Sequence, residues 1–314
     1  MSRSTSVALP AQPVAPAQAA RSSEGDTNTT SLFECRGIDV SFGGLKALSD
    51  VSVRVDEGEI VGMIGPNGAG KTTLFNVISG FLVANSGKVL LDGRDLTGLL
   101  PYERARLGLG RTFQQALLYR DLSVLENLLI ASHRHTRRGL FSNGLRLGAA
   151  AREEREALER ARATMDVVDL TPYWEKKAGA LSYGTLRMLE LACMLVQAPR
   201  FVLLDEPASG IAQRETEALG PLLRRIREQM QTTILIIEHD IPMVSGLSDR
   251  MYAMDLGKVI AEGAPAQVLA HPEVVASYLG RPETVGLEES PKPARRRPAP
   301  RRTAGAPRGG GSPT

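Results

Sequence analysis

Apolar positions along the chain fall into short runs separated by helical stretches. Residues 34–40 and 51–55 read as strands bounded by Gly, Ser and Asp. Ile60–Ile64 is a short apolar run, followed at once by a Gly-rich turn and a helix from about residue 70 to 79. Residues 152–168 are strongly charged with apolar side chains at helical spacing, and 183–197 form a second long helix. Residues 201–204 and 234–237 are fully apolar, as expected of strands covered on both faces. Strands alternating with helices predict an α/β fold with a parallel sheet. Each motif occurs once, and there is no internal repeat.

Composition changes the picture at the two ends. Residues 1–31 are rich in Ser, Ala, Thr, Pro and Gln, and residues 286–314 in Pro, Arg and Gly. Neither stretch holds enough large apolar surface to offset its ordering entropy, so both are expected to be disordered tails. The formal charge of +3 is uneven: residues 281–314 carry +5 and the remainder −2. The basic balance thus belongs to the tail and is poor evidence for nucleic-acid binding by the folded body, for which no nucleic acid is expected. Such a tail is usually solvated, contact with anionic lipid or RNA being the alternative. Cys35 and Cys193 belong to no C-x-x-C pair and read as reduced thiols. No apolar stretch approaches the roughly 20 residues that span a bilayer, and no signal peptide opens the chain. The expectation is a soluble, intracellular protein whose membrane role, if any, comes through a partner.

The chemistry begins after Ile64. Gly65-Pro66-Asn67-Gly68-Ala69-Gly70-Lys71-Thr72-Thr73 fits G-x-x-x-x-G-K-[ST]. The glycines let successive N–H groups turn inward toward phosphate oxygens, and the following helix adds its positive end. Lys71 can reach the β- and γ-phosphates, and the Thr72 hydroxyl can ligate Mg²⁺. This loop predicts nucleotide binding without separating a kinase from a GTPase or a transporter ATPase.

A second set of groups stands at the ends of other apolar runs. Residues 201–204 lead into Asp205-Glu206-Pro207. A buried parallel strand delivers its last residue to the ligand crevice, so Asp205 there would hold Mg²⁺, directly or through water. Glu206 could polarise the attacking water. The run 234–237 leads into Glu238-His239-Asp240, where His239 could hydrogen-bond a γ-phosphate. Gln114, in Arg111-Thr112-Phe113-Gln114, has an amide able to coordinate Mg²⁺ or the lytic water. His133 and His135 are read as having no metal role.

These pieces, in this order, resemble the nucleotide-binding domain of ABC transporters over roughly residues 32–280. The diagnostic piece is Leu181-Ser182-Tyr183-Gly184-Thr185, similar to the family's L-S-G-G-Q signature. Ser182 can cap the helix it opens, and its hydroxyl, the Gly184 N–H and the helix dipole suit an anion. The resemblance implies a P-loop NTPase core of the ABC ATPase type, with a helical subdomain at about 115–198 and an antiparallel β subdomain. It implies that Phe42 stacks on adenine, that Gln114 falls on the Q-loop and His239 on the H-loop, and that two ATP molecules are sandwiched in a head-to-tail dimer.

Finer features resemble the ATPase subunits of branched-chain amino-acid uptake systems. They are Ser41-Phe42-Gly43-Gly44-Leu45, Arg111-Thr112-Phe113-Gln114, an inserted Gly139-Leu140-Phe141-Ser142, Ile237-Glu238-His239-Asp240 and Val275-Ala276-Ser277-Tyr278-Leu279-Gly280. That class implies integral-membrane permeases, a second ATPase subunit (like or unlike), an extracytoplasmic solute-binding protein acting indirectly, and a place on the cytoplasmic face of the membrane. An ATPase for lipid or polysaccharide export shares the core motifs, and a soluble non-transport ABC ATPase is a further alternative. The chain departs from the family pattern at Tyr183 and Thr185 in the signature, and at Ala212, where an Asp or Asn is usual. Those departures imply altered coupling between the two sites and an asymmetric dimer.

Overall fold

The computed structural model describes residues 31–112, 118–132, 147–210 and 213–279. Two sheets carry the fold. Strands β1 (Ser31–Phe42), β2 (Leu45–Asp56), β4 (Ser86–Leu91) and β5 (Arg94–Asp95) form an antiparallel sheet in the order β2-β1-β4-β5. The first two strands are longer than their apolar stretches suggest. Gly43 and Gly44, at φ 53° and 91°, close a two-residue turn that pairs Phe42 with Leu45 and extends both strands. At the other end Ser31, expected in the tail, opens β1 because it pairs with Asp56.

The second sheet holds β3 (Ile60–Ile64), β6 (Leu109–Arg111), β7 (Phe201–Asp205), β8 (Thr233–Ile237), β9 (Arg250–Asp255) and β10 (Lys258–Gly263), in the order β10-β9-β3-β8-β7-β6. All neighbours are parallel except the edge pair β9–β10. The alternation within its apolar strands divides two cores. Val61, Met63, Phe201, Leu203, Leu235 and Ile237 face the antiparallel sheet and α1 (Lys71–Ser79). Ile60, Ile64, Val202, Leu204, Ile234 and Ile236 face the opposite core. That core is covered by α3 (Val124–Ser132), α4 (Leu147–Val167), α5 (Tyr183–Leu195), α6 (Gln213–Met230), α7 (Ile241–Leu247), α8 (Pro265–Leu269) and α9 (Pro272–Leu279). The continuous apolar runs are thus explained by burial on both faces.

Helix α1 is gripped at its C-terminal end. A short helix α2 (Pro101–Arg106) presents the buried Arg104, whose guanidinium donates to the carbonyls of Val77 and Ile78 at 2.6 and 2.7 Å. A cation there satisfies carbonyls left over at the helix C-terminus and complements its dipole. Among the described residues, no helix is long and apolar enough to cross a membrane.

The two sheets meet where Phe33 of β1 stacks on Phe201 of β7, ring centroids 4.3 Å apart and both rings fully buried. Phe201→Ala should remove that contact and leave a cavity between the sheets, costing about 3–5 kcal/mol in chemical denaturation; a loss under about 1 kcal/mol would refute the role given to this pair.

Candidate nucleotide site

Strands β3, β8 and β7 are neighbours, and their register aligns Met63 with Ile237 and Ile237 with Asp205. Their C-terminal ends therefore lie side by side, and each continues into one of the motifs. The loop Gly65–Gly70 leaves β3, Glu238 and His239 leave β8, and Asp205 and Glu206 close β7.

Glycine is required at both ends of the phosphate loop. At Gly65, φ is 151° and a Cβ would lie 2.2 Å from the Met254 carbonyl oxygen. At Gly70, φ is 100° and a Cβ would meet Leu48 at 2.8 Å and the Ala47 carbonyl at 2.9 Å. Pro66, Asn67, Gly68 and Ala69 lie between them, and Ala69 N–H donates to the Pro66 carbonyl at 3.1 Å. Gly70 caps α1 with no side-chain hydrogen bond, so the first amides of the helix point at the loop's concavity. Lys71 is buried, and its ammonium donates to the carbonyls of Gly65 at 2.6 Å and Pro66 at 3.1 Å. Burial lowers its pKa, opposed by the charges of Glu206 and Asp205. Lys71, at the start of α1, thus lies within reach of the charges that close β7. Thr72 is exposed at the mouth of the loop and Thr73 half-buried.

Arg111, at the end of β6, is a partner that the sequence motifs did not reveal. Its guanidinium reaches Asp205 Oδ2 at 3.3 Å and donates to Asn76 Oδ1 at 2.8 Å and Ser79 Oγ at 2.6 Å. It thereby ties the carboxylate of β7 to the helix that follows the phosphate loop. The bridge is almost fully buried, with side chains 10% and 8% exposed. Burial raises the Asp205 carboxyl above its usual range, Arg111 pulls it down, and Glu206 raises it again. An Arg closing a short strand beside a Gly carries no local signal of such a partner.

Glu206 and His239 form a pair, with Nε2 donating to the carboxylate Oε1 at 2.8 Å. Glu206 adopts φ 49°, a conformation that costs a non-glycine residue about 1–2 kcal/mol. A cavity of about 700 Å³ opens beside Asp205 and Glu206 and reaches Arg187 and Met188 of α5. Ser182 caps α5, its Oγ accepting from Thr185 N–H at 3.2 Å and contacting Thr185 Oγ1 at 2.8 Å. Gly184 is buried in the first turn of that helix. Phe42 is half exposed before the Gly43-Gly44 turn, free to offer a ring face. Gln114 and Ala212 lie outside the described residues.

The donors suit Mg²⁺ completed by a substrate. Thr72 and Asp205 carry hard oxygens of the kind Mg²⁺ takes. Among the described residues there is no cluster of three or more His, Cys, Asp or Glu that could cage a metal alone. A cation bound by one carboxylate and one hydroxyl depends on phosphate oxygens for the rest of its shell.

Comparisons with known proteins agree with this geometry. The ABC transporter family pattern matches residues 48–209, and that of the branched-chain amino acid ATP-binding cassette transporter matches residues 258–284. The chain is 43% identical to the high-affinity branched-chain amino acid transport ATP-binding protein LivG of Salmonella typhimurium, over 79% of this chain and 98% of that one. It is 40% identical to the corresponding protein BraF of Pseudomonas aeruginosa, over the same shares. A crystal structure of an ABC transporter's ATP-binding cassette in its ADP conformation superposes with a TM-score of 0.69 at 34% identity, covering 80% of this chain and all of that one.

Removing Arg111 should act on Asp205 in a direction that can be measured. Arg111→Met leaves a buried carboxylate without its cation, so stability should fall by about 3 kcal/mol. The Asp205 pKa should rise further, because the cation that most strongly opposes the effect of burial is gone. Hydrolysis that needs the ionised carboxylate would then fail at a higher pH as acidity increases. The pH profile of kcat/KM for ATP checks this: an acid limb unmoved, or moved to lower pH, would contradict it.

Proposed function

The chain belongs to the ATP-binding subunits of ABC transporters, and from that premise we propose that it hydrolyses Mg-ATP to drive uptake of branched-chain amino acids or related small solutes through a separate integral-membrane permease. The observation that carries the ATPase chemistry is the meeting of Lys71, Asp205, Glu206 and His239 at the ends of adjacent parallel strands. Support for the cargo comes from the relatives LivG and BraF and from the match at residues 258–284.

The residues divide the work as follows. The phosphate loop and the first amides of α1 bind the phosphates, and Phe42 stacks on adenine. The Lys71 ammonium, with three donors, turns from the carbonyls of Gly65 and Pro66 to the β- and γ-phosphates. Thr72, Asp205 and Gln114 would hold Mg²⁺, which when bound would supply charge to offset that of the phosphates. Glu206 orients the attacking water and accepts its proton. His239 keeps Glu206 aimed and senses the γ-phosphate, while Gln114 lies near the lytic water.

Ser182 and Gly184 serve the ATP of a facing subunit, so a second ATPase is a partner. Thr185 at the signature and Ala212 beyond Glu206 favour an unlike paralogue in that place. The permease lies in the membrane with the chain on its cytoplasmic face, and an extracytoplasmic solute-binding protein delivers cargo. Nucleic acid has no part in this cycle.

Glu206→Gln should leave nucleotide binding intact and lower kcat by about 10²-fold or more; near wild-type turnover would refute the role of Glu206. With the permease and binding protein reconstituted in vesicles, leucine should stimulate turnover and accumulate. Stimulation by another solute class and not by leucine would overturn the cargo assignment.

A further inference from the structure

Glu238 stands between the two groups assigned to hydrolysis, and nothing above gives it a task. It is the buried residue that follows β8, 4% exposed, and its side chain spans two loops. Oε1 accepts from Ala208 N–H at 2.7 Å, two residues beyond Glu206. Oε2 accepts from its neighbour His239 N–H at 3.1 Å. One carboxylate therefore fastens the loop after β7 to the loop after β8.

The loop after β7 needs such a fastening. Glu206 holds a left-handed φ of 49°, which persists only where the surroundings enforce it. Its own N–H donates to the Ile237 carbonyl at 2.9 Å, and its carbonyl accepts from Ser209 N–H at 3.0 Å. The bond from Ala208 to Glu238 is the side-chain member of this set. The location is costly for an acid. Burial raises the Glu238 carboxyl above its usual range and Glu206 adds to the rise, while the amides of Ala208, His239 and Asp240 lower it. A residue needed only to fill space would avoid a second acid beside Glu206. The two N–H donors meet different oxygens of the group, and a carboxamide offers an acceptor at only one of those positions.

We propose that Glu238 is a positioning residue for hydrolysis, whose buried carboxylate locks the loops carrying Glu206 and His239 so that their 2.8 Å contact stays aimed at the phosphate loop. The proposal rests on the ATPase chemistry assigned above and acts through Glu206 and His239 without touching nucleotide.

The test uses the purified full chain with Glu238→Gln and Glu238→Met, each alone and combined with His239→Ala. Gln keeps the shape and loses one of the two acceptors. Met loses both without burying an unpaired charge, so a folding defect in one variant does not hide the answer from the other. Both should bind a fluorescent ATP analogue as the wild type does, with KM for ATP within about twofold and kcat lower by about tenfold or more. In the His239→Ala background the same substitutions should cost less than in the wild type, because one of the two groups they position, and the contact between them, is already gone. Wild-type kcat in both variants, a matching rise in KM, or losses that multiply fully in the His239→Ala background would each overturn the proposal. Turnover of the wild-type chain tests the ATPase assignment itself, and only the ratio of variant to wild type tests Glu238, so the two failures are separate.

Discussion

The shared register of β3, β8 and β7 is the constraint on which the site depends. Each of these strands is buried on both faces, with odd and even residues committed to different cores. A slip of one residue would exchange the two sets and misplace every side chain of the strand. Because that slip is forbidden, the strands end at the same level. Glu206 and His239 then lie one and two residues beyond their strands, and the six-residue loop Gly65–Gly70 carries the chain from β3 to Lys71 at the start of α1. The placement of the groups proposed to act in hydrolysis follows from core packing far more than from contacts among the groups themselves.

Helix α1 is the second consequence of that packing. It lies between the two sheets with its N-terminal amides open to an anion. Its opposite end is held by Arg104 on the last carbonyls and by Arg111 on Asn76 and Ser79. Buried guanidinium groups are costly unless hydrogen-bonded, and each of these donates to two or more acceptors. Arg111 also holds Asp205, so a single cation joins the phosphate-binding helix to the carboxylate assigned to Mg²⁺. A shift of α1 on nucleotide binding would be felt at β7 through that side chain.

The departures in the signature acquire a physical meaning. Thr185 places its hydroxyl on Ser182, the cap of α5, so the short side chain engages the residue that the family pattern assigns to phosphate. Tyr183 receives two hydrogen bonds from Arg187 through its hydroxyl, and it lies over Gly210, where a Cβ would meet that hydroxyl at 3.2 Å. The start of the signature helix thus touches the turn after Glu206 within one chain. Bulk has replaced glycine where it ties two loops of the site together.

The phosphate loop, the apolar strands and the helices at 70–79, 152–168 and 183–197 were legible in the sequence, because a glycine spacing and an apolar run express local geometry. Strands β1 and β2 look shorter in the sequence than they are, since exposed and half-buried residues interrupt their apolar positions and the Gly43-Gly44 turn extends their pairing. What only the tertiary structure decided is which charges meet. Arg111 and Asp205 lie 94 residues apart, Glu206 and His239 are 33 apart, and Ala208 and Glu238 are 30 apart. No local pattern encodes those pairings, because they exist only once the parallel strands are in register. The sequence by itself determined that this chain has the groups to bind and cleave a nucleotide; burial of both sheet faces decided how they are held.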